Sequence, residues 1–452
     1  MSATNFLSQR TQRLFFASFA FSFALLRCAA SVSAEVRAGA AHVEFALPEG
    51  VPLAGYSRRH GAPSRGLHDP VGVRALVLEE GAATVALVSC DVLIIDEHLA
   101  DAVRQHLIAE GLPSSLTLVL AATHTHSGPG AYGTRFLEKL SMGHFDSEAF
   151  EAIVEAAVDA VVTARDMLAP VRLAYGTAQT SGLAANRVDP RGFADGELTV
   201  VGFFARTGSD PLAVLVNFSA HPTVLGAWNR QLSADYPGAI VRALEQRYPS
   251  AVALFFAGSV ADQAPVKSGD PSTRPGDSRG SLGVVPSERN KSRDDAFARV
   301  EAMGQALARG AIAVLDGARP QPPAALRARQ ERLLLPPAQV RLGRLTLPRW
   351  LGSSVVDDDA TLSLIAVGPA VFFGVPCDLA SAFGLQLKRA ARAQGLQPMV
   401  IGFAGDYIGY CVPAALYEEK KYESSMAFNG PQAGALVVER LIQMLSATKS
   451  DQ

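Results

Sequence analysis

The sequence predicts an α/β fold, a mixed β-sheet core flanked by helices, with polar chemistry gathered at the strand ends. Three observations carry this. Ala83 to Leu93 (ATVALVSCDVL) is a near-continuous apolar run, as a strand buried on both faces requires. Asp96 to Glu110 has helical spacing and separates that run from a second strand beginning at Leu116, which makes a βαβ unit. Several apolar strands then stop abruptly on polar groups: His124-Thr125-His126 before Gly128-Pro129-Gly130, His221 before Pro222, and Asp378 after Pro376-Cys377. Strand ends of this kind are where an open α/β sheet presents a site.

Composition narrows the class. The 452 residues are 48% hydrophobic and 19% charged with a net charge of -2, which is globular and gives no basic bias toward nucleic acid. Glycine (39) and proline (27) are dispersed, so the chain has many turns rather than low-complexity segments. At the N-terminus, Arg10 and Arg13 precede an apolar run from Leu14 to Leu26, and Val32-Ser33-Ala34 offers small residues for cleavage. Residues 1–34 therefore read as a signal peptide, residues 35–452 as the mature domain, and the location as secreted or periplasmic. Cys28 leaves with the signal. Cys90, Cys377 and Cys411 remain, too few for a disulfide framework, although a Cys377–Cys411 bridge is open.

Taken in order, Ala38 to Leu47 is a first strand and Val71 to Leu78 a second. The strand from Leu116 runs toward the His pair. If it continues through them, period-two alternation puts His124 and His126 side by side on one face. Glu148 to Leu168 is an amphipathic helix, and Val171 to Gln179 a strand. Ser181 to Gly192 is a loop holding Asn186-Arg187. Leu198 to Phe204 and Leu212 to Phe218 form a hairpin whose second strand ends on His221. Pro237 sits in the first turn of a helix over Ala239 to Gln246. Ala251 to Phe256 is a strand ending near Asp262. Residues 266–293 are polar throughout and read as a mobile surface loop. Asp294 to Leu315 is a helix. Arg327 to Leu335 and Val340 to Leu347 are strands. Ser363 to Val367 pairs with Val371 to Val375, a helix spans Leu379 to Ala393, Pro398 to Ala404 is a strand, and Pro431 to Leu445 is the closing helix.

Two imidazoles and a carboxylate at neighbouring strand ends make a usual set of protein ligands for a catalytic zinc. Each residue also has a structural alternative. The His pair can bond to backbone, Asp378 fits the N-cap of the helix that follows it, and Asp262 can be a cap or a proton carrier. Tyr410 and Tyr422 can be packing residues with a wet hydroxyl, and Arg187 can be a surface ion pair.

THTHSGPG at 123–130, NFSAHPT at 217–223, PCD at 376–378 and YIGYCVPAALYEEKKYE at 407–423 resemble, in this order, motifs of the neutral (alkaline, non-lysosomal) ceramidase family. The likeness covers roughly residues 36–450. It implies a secreted amide hydrolase with one Zn2+ per chain, cleaving the N-acyl bond of ceramide or a related sphingoid lipid to fatty acid and amine. Carried over by position, His124, His221, Asp378 and Tyr410 are the metal ligands, Asp378 standing where the family has Glu. His126 is a general base or orienting group, and Arg187 and Tyr422 face the reacting carbonyl. The implied partner is a lipid or N-acyl amide, with transient membrane-surface contact.

The family's nucleophilic Ser has no counterpart. Ala264 aligns with it, or Ala261 in a shifted frame, which leaves Asp262 as the nearby proton carrier and water as the attacking group. The chain also ends without the immunoglobulin-like domain that the resemblance places after the catalytic region. Two other functions follow from these departures: a zinc hydrolase of a different N-acyl amide or ester, and a non-catalytic binding protein on the same scaffold.

Overall fold

Long apolar strands govern the architecture, because each needs cover on two faces. The computed structural model describes residues 35–266, 286–342, 345–346, 355–419 and 421–450. Segment 1–34, expected to be a signal peptide, and most of the polar stretch 266–293 lie outside these. The strands are β1 (Arg37–Glu44), β2 (Gly72–Glu80), β3 (Ala83–Cys90), β4 (Thr117–Ala122), β5 (Ala169–Gln179) and β6 (Ala184–Asn186). They continue with β7 (Glu197–Ala205), β8 (Pro211–Phe218), β9 (Val252–Ala257), β10 (Gln263–Pro265), β11 (Leu326–Leu334) and the two-residue β12 (Arg341–Leu342) and β13 (Leu345–Thr346). The last are β14 (Asp359–Val367), β15 (Ala370–Gly374), β16 (Asp378–Leu379), β17 (Gln397–Ile401) and β18 (Tyr410–Cys411).

Eight strands form one mixed sheet in the order β4-β3-β2-β1-β5-β7-β8-β9. Only β3–β4 and β8–β9 pair in parallel, and these pairs lie at the two edges. The sheet curls until its ends approach: the Ser89 hydroxyl of β3 donates to Phe255 O of β9 at 2.6 Å. Four strands, β11-β14-β15-β17, form a second sheet.

Alternation explains the apolar runs. Ala86, Val88, Leu118, Leu120, Val214 and Val216 face one way, into a core shared with the helices Glu97–Ala109, Ser147–Asp166, Asp235–Arg247 and Pro286–Gly317. Val85, Leu87, Val119 and Leu215 face the other way, against Ile365, Phe372 and Met399 of the second sheet. That sheet's far side is covered by Ser381–Arg392 and Ala433–Ser450. The order is helices, sheet, sheet, helices. Expected helix flanks are present, and the stacking of two sheets is an addition that strand patterning does not reveal, since both faces read as apolar in either case.

Four local readings change, one being the strand expected over Val340 to Leu347, where β12 and β13 instead pair antiparallel with each other. β4 ends at Ala122, two residues before His124, because His124 turns to φ 63°. The His pair therefore leaves a turn and not a strand, and period-two alternation is not what aligns it. The helix expected from Asp294 begins at Pro286, so the polar stretch 266–293 is helical in its last part. The loop 181–192 contains β6, which pairs antiparallel with β10. Among the described residues no helix is long and apolar enough to cross a membrane.

Candidate metal centre

The turns after β4 and β8 converge because the sheet curls. His124 Nε2 lies 3.0 Å from His221 Nε2 and 3.2 Å from His126 Nε2. Each ring is held from behind by a backbone carbonyl: His124 Nδ1 by Leu93 O at 2.7 Å, His221 Nδ1 by Val260 O at 2.9 Å, and His126 Nδ1 by Gly55 O at 3.1 Å. Leu93 follows β3, the parallel neighbour of β4, and Val260 follows β9, the parallel neighbour of β8. Each parallel pair thus supplies one histidine and the carbonyl that orients it. A carbonyl only accepts, so Nδ1 carries the proton in all three rings and every Nε2 presents a lone pair.

Three lone pairs facing one another repel, and burial makes the rings poor proton acceptors. Burial pushes His124 down to about 3, and it pushes His126 and His221 well below the usual range. The arrangement therefore suits a cation other than the proton, and these three histidines form a cluster able to hold a metal ion.

The fourth group comes from the second half of the chain. Asp378 in β16 is fully buried. Its Oδ1 lies 3.5 Å from His221 Nε2 and 3.8 Å from His124 Nε2 and has no hydrogen-bond partner. Its Oδ2 accepts from the Tyr407 hydroxyl at 2.7 Å. Burial raises the Asp378 carboxyl to about 7, against the Tyr407 bond and the Arg187 charge, which lower it. A buried carboxylate oxygen without a donor, beside the lone pairs of His124 and His221, extends the cluster toward the donor set a divalent cation completes.

Tyr410 pairs with Asp378 across β16 and β18 and lies against the same carboxylate. Its hydroxyl accepts from Arg187 Nη2 at 3.0 Å. Arg187 Nε donates to Ala261 O at 2.9 Å and lies 3.2 Å from Glu423 Oε1. Burial opposes its charge, but Tyr410, Glu423 and Asp378 outweigh that and push its pKa up. Tyr422 stands edge-on to Tyr410, ring centroids 5.8 Å apart, and is 60% exposed, so it lies at the mouth.

Of the residues singled out in the sequence, His124, His126, His221, Asp378, Tyr410, Arg187 and Tyr422 are thus brought together. His126 turns its Nε2 toward the same point, 3.2 Å from His124 Nε2, while Gly55 O holds its Nδ1. Asp262 is oriented elsewhere. Its Oδ1 accepts from Ser381 N at 2.8 Å, and its Oδ2 from Ser381 Oγ at 2.7 Å and Asn186 Nδ2 at 3.0 Å. It caps the helix Ser381–Arg392 from another segment, which satisfies both oxygens and corrects its reading as a proton carrier. Asp378 is correspondingly free of the N-cap role, and Ala380 holds that position.

Tyr407, which opens the motif at 407–423, fixes Asp378. Three neighbours escaped the sequence reading. Phe403 stacks on His124 at 3.9 Å, both residues having positive φ. Arg59, buried, donates to Ala54 O at 2.7 Å, His126 O at 2.6 Å and Gly226 O at 3.3 Å, tying together the loops behind two of the histidines. Gly55, at φ 99°, gives the His126 ring room, because a Cβ there would lie 2.7 Å from His126 Cγ. Gly55→Ala is expected to weaken metal binding roughly 10–100-fold, as loss of an orienting partner does. A competition titration against a chromogenic chelator measures it, and unchanged affinity would remove Gly55 from the site.

Fold and centre define an α/β protein with three imidazoles and a buried carboxylate at converging strand ends. The family model for neutral/alkaline non-lysosomal ceramidase, N-terminal, matches residues 47–330, more than half of the chain. The chain belongs to that family. It is similar to the neutral ceramidase of Pseudomonas aeruginosa, 31% identical over 204 residues, or 42% of this chain and 30% of that protein. The neutral ceramidase of Mycobacterium tuberculosis is 25% identical over 191 residues, 38% of this chain and 30% of that protein. The matched segments thus span under a third of these relatives' length. A solved ceramidase complexed with C2 superposes with TM-score 0.77 at 19% identity, covering 92% of this chain and 76% of that one. The solved Pseudomonas aeruginosa neutral ceramidase superposes with TM-score 0.74 at 21% identity, covering 92% and 75%. These two likenesses concern the fold.

Proposed function

We propose that this chain is a zinc-dependent amidase that cleaves the N-acyl bond of ceramide or a related N-acyl sphingoid lipid. The observation that carries this reading is the three-histidine cluster with the orphaned Asp378 Oδ1 beside two of its Nε2 atoms, those of His221 and His124. His124, His126, His221 and Asp378 would hold the ion, with Tyr410 next to them. Such an ion lowers the pKa of a bound water to about 7 and polarises a carbonyl. The chain's own residues do the rest. The carbonyls of Leu93, Gly55 and Val260 keep each Nε2 deprotonated. Arg187 holds the Tyr410 hydroxyl in place. Tyr422, exposed at the mouth, is positioned to donate to the oxygen that gains charge as the amide is attacked. Export, with residues 1–34 as its signal, accords with a substrate found in membranes.

Ala264 favours a second reading, hydrolysis of a different N-acyl amide or an ester. It lies in β10 opposite Ala185, so neither residue of that pair offers a hydroxyl nucleophile.

Purified protein assayed with a fluorogenic ceramide, zinc being measured on the same sample, tests the proposal. Turnover that disappears on chelation and returns with zinc is expected. Zinc near one per chain without turnover would shift the substrate to other amides or esters. Neither zinc nor turnover would leave a binding protein.

A further inference from the structure

The parallel pair β16–β18 is only two residues long on each side, yet it carries Asp378 and Tyr410 in register. Neighbouring residues in a strand point to opposite faces. Cys377 precedes Asp378 and Cys411 follows Tyr410, so both thiols turn away from the metal centre. They enter the same apolar cluster as Leu387, Val437 and Leu441, and both are buried. Both are free cysteines, and the Cys377 thiol lies near enough to Cys411 to interact with it. Cys90 lies in a different cluster, on β3.

We propose that Cys377 and Cys411 are an oxidisable pair, a disulfide site that locks the spacing of Asp378 and Tyr410. In the step, two S–H bonds break and one S–S bond forms. Two electrons and two protons pass to a low-molecular-weight disulfide, which is reduced to two thiols. Both thiols enter one apolar cluster from strands held in register, so the bond requires local adjustment rather than refolding. The bridge closes the segment 377–411, which contains the helix Ser381–Arg392, β17 and Tyr407. Closing such a loop restricts the unfolded chain and stabilises the native one. It also ties together, on their reverse side, two strands too short to hold each other by backbone bonds alone.

The test treats the full chain with oxidised glutathione, then denatures, alkylates and digests it for mass spectrometry, with thermal melts run on the same samples. The expected result is a cross-linked peptide joining Cys377 to Cys411, with Cys90 alkylated, and a melting midpoint several degrees above that of the reduced protein. The increment should vanish in Cys411→Ala. Full alkylation of both cysteines after prolonged oxidation would overturn the proposal, as would a bridge to Cys28 or Cys90. Peptide mapping of the unmutated protein decides this even if the variant does not fold. The readout is independent of hydrolysis, so an inactive protein would not bear on it.

Discussion

His124→Ala is expected to strip the centre of its metal and reduce turnover to about a thousandth or less, since catalysis at such a site depends on the bound ion. His124 is the ring that both other imidazoles approach, at 3.0 and 3.2 Å, and it faces Asp378 Oδ1 at 3.8 Å. Alanine leaves His126 and His221 without their common neighbour, 5.5 Å apart between ring centroids. Phe403 loses its stacking partner too, so the variant should also unfold more easily, by ~1–3 kcal/mol. Metal content by mass spectrometry and turnover on the same preparation measure the effect. A variant that keeps stoichiometric metal would sink the three-imidazole centre. One that loses metal but retains activity would sink the link between metal and chemistry.

Lys388→Ala is expected to destabilise the fold by ~3–5 kcal/mol, the cost of leaving buried carboxylates without their cation. Lys388 is 2% exposed. Its Nζ lies 2.8 Å from Asp195 Oδ2 and 3.2 Å from Glu197 Oε1. Asp195 also accepts from the Ser219 hydroxyl at 2.9 Å, two residues before His221, and Arg392 holds Glu197 at 2.7 Å. The ammonium therefore joins the helix beneath the second sheet to the strand end that presents His221. Arg392 offsets only part of the exposed charge, because it reaches Glu197 and not Asp195. Urea unfolding followed by circular dichroism measures the loss. A change below ~1 kcal/mol would mean that water reaches the cluster, and that it acts as a surface network.

Lys388 also shows where the sequence stops being legible. On a helix it reads as a solvated face, and its partners lie almost two hundred residues away. The apolar runs of β3, β4, β8 and β9 were readable because double-sided burial dictates composition. The polar residues at their tips were readable because His and Asp rarely end such runs without a task. How those tips meet was not, since convergence depends on the curl of the sheet and on a second sheet that leaves no separate pattern. The carbonyls of Leu93, Gly55 and Val260 were invisible for another reason: every residue has one. Asp262 stood between two readings because a carboxylate beside a site looks the same whether it faces the reaction or caps a distant helix.

The distance between His124 and His221 is not set by local contacts alone, such as the Ser89 bond to Phe255 O. Five strands, β3, β2, β1, β5 and β7, separate β4 from β8 in the sheet. The sheet works like a pair of callipers whose jaws are the two turns and whose spring is the twist accumulated through its middle. A bulkier side chain deep in β1 or β5 alters the bow of the spring, and the jaws open or close although nothing near them has changed. Variation in the middle strands therefore acts on the centre from a distance, and the gauge of the site belongs to the sheet as a whole.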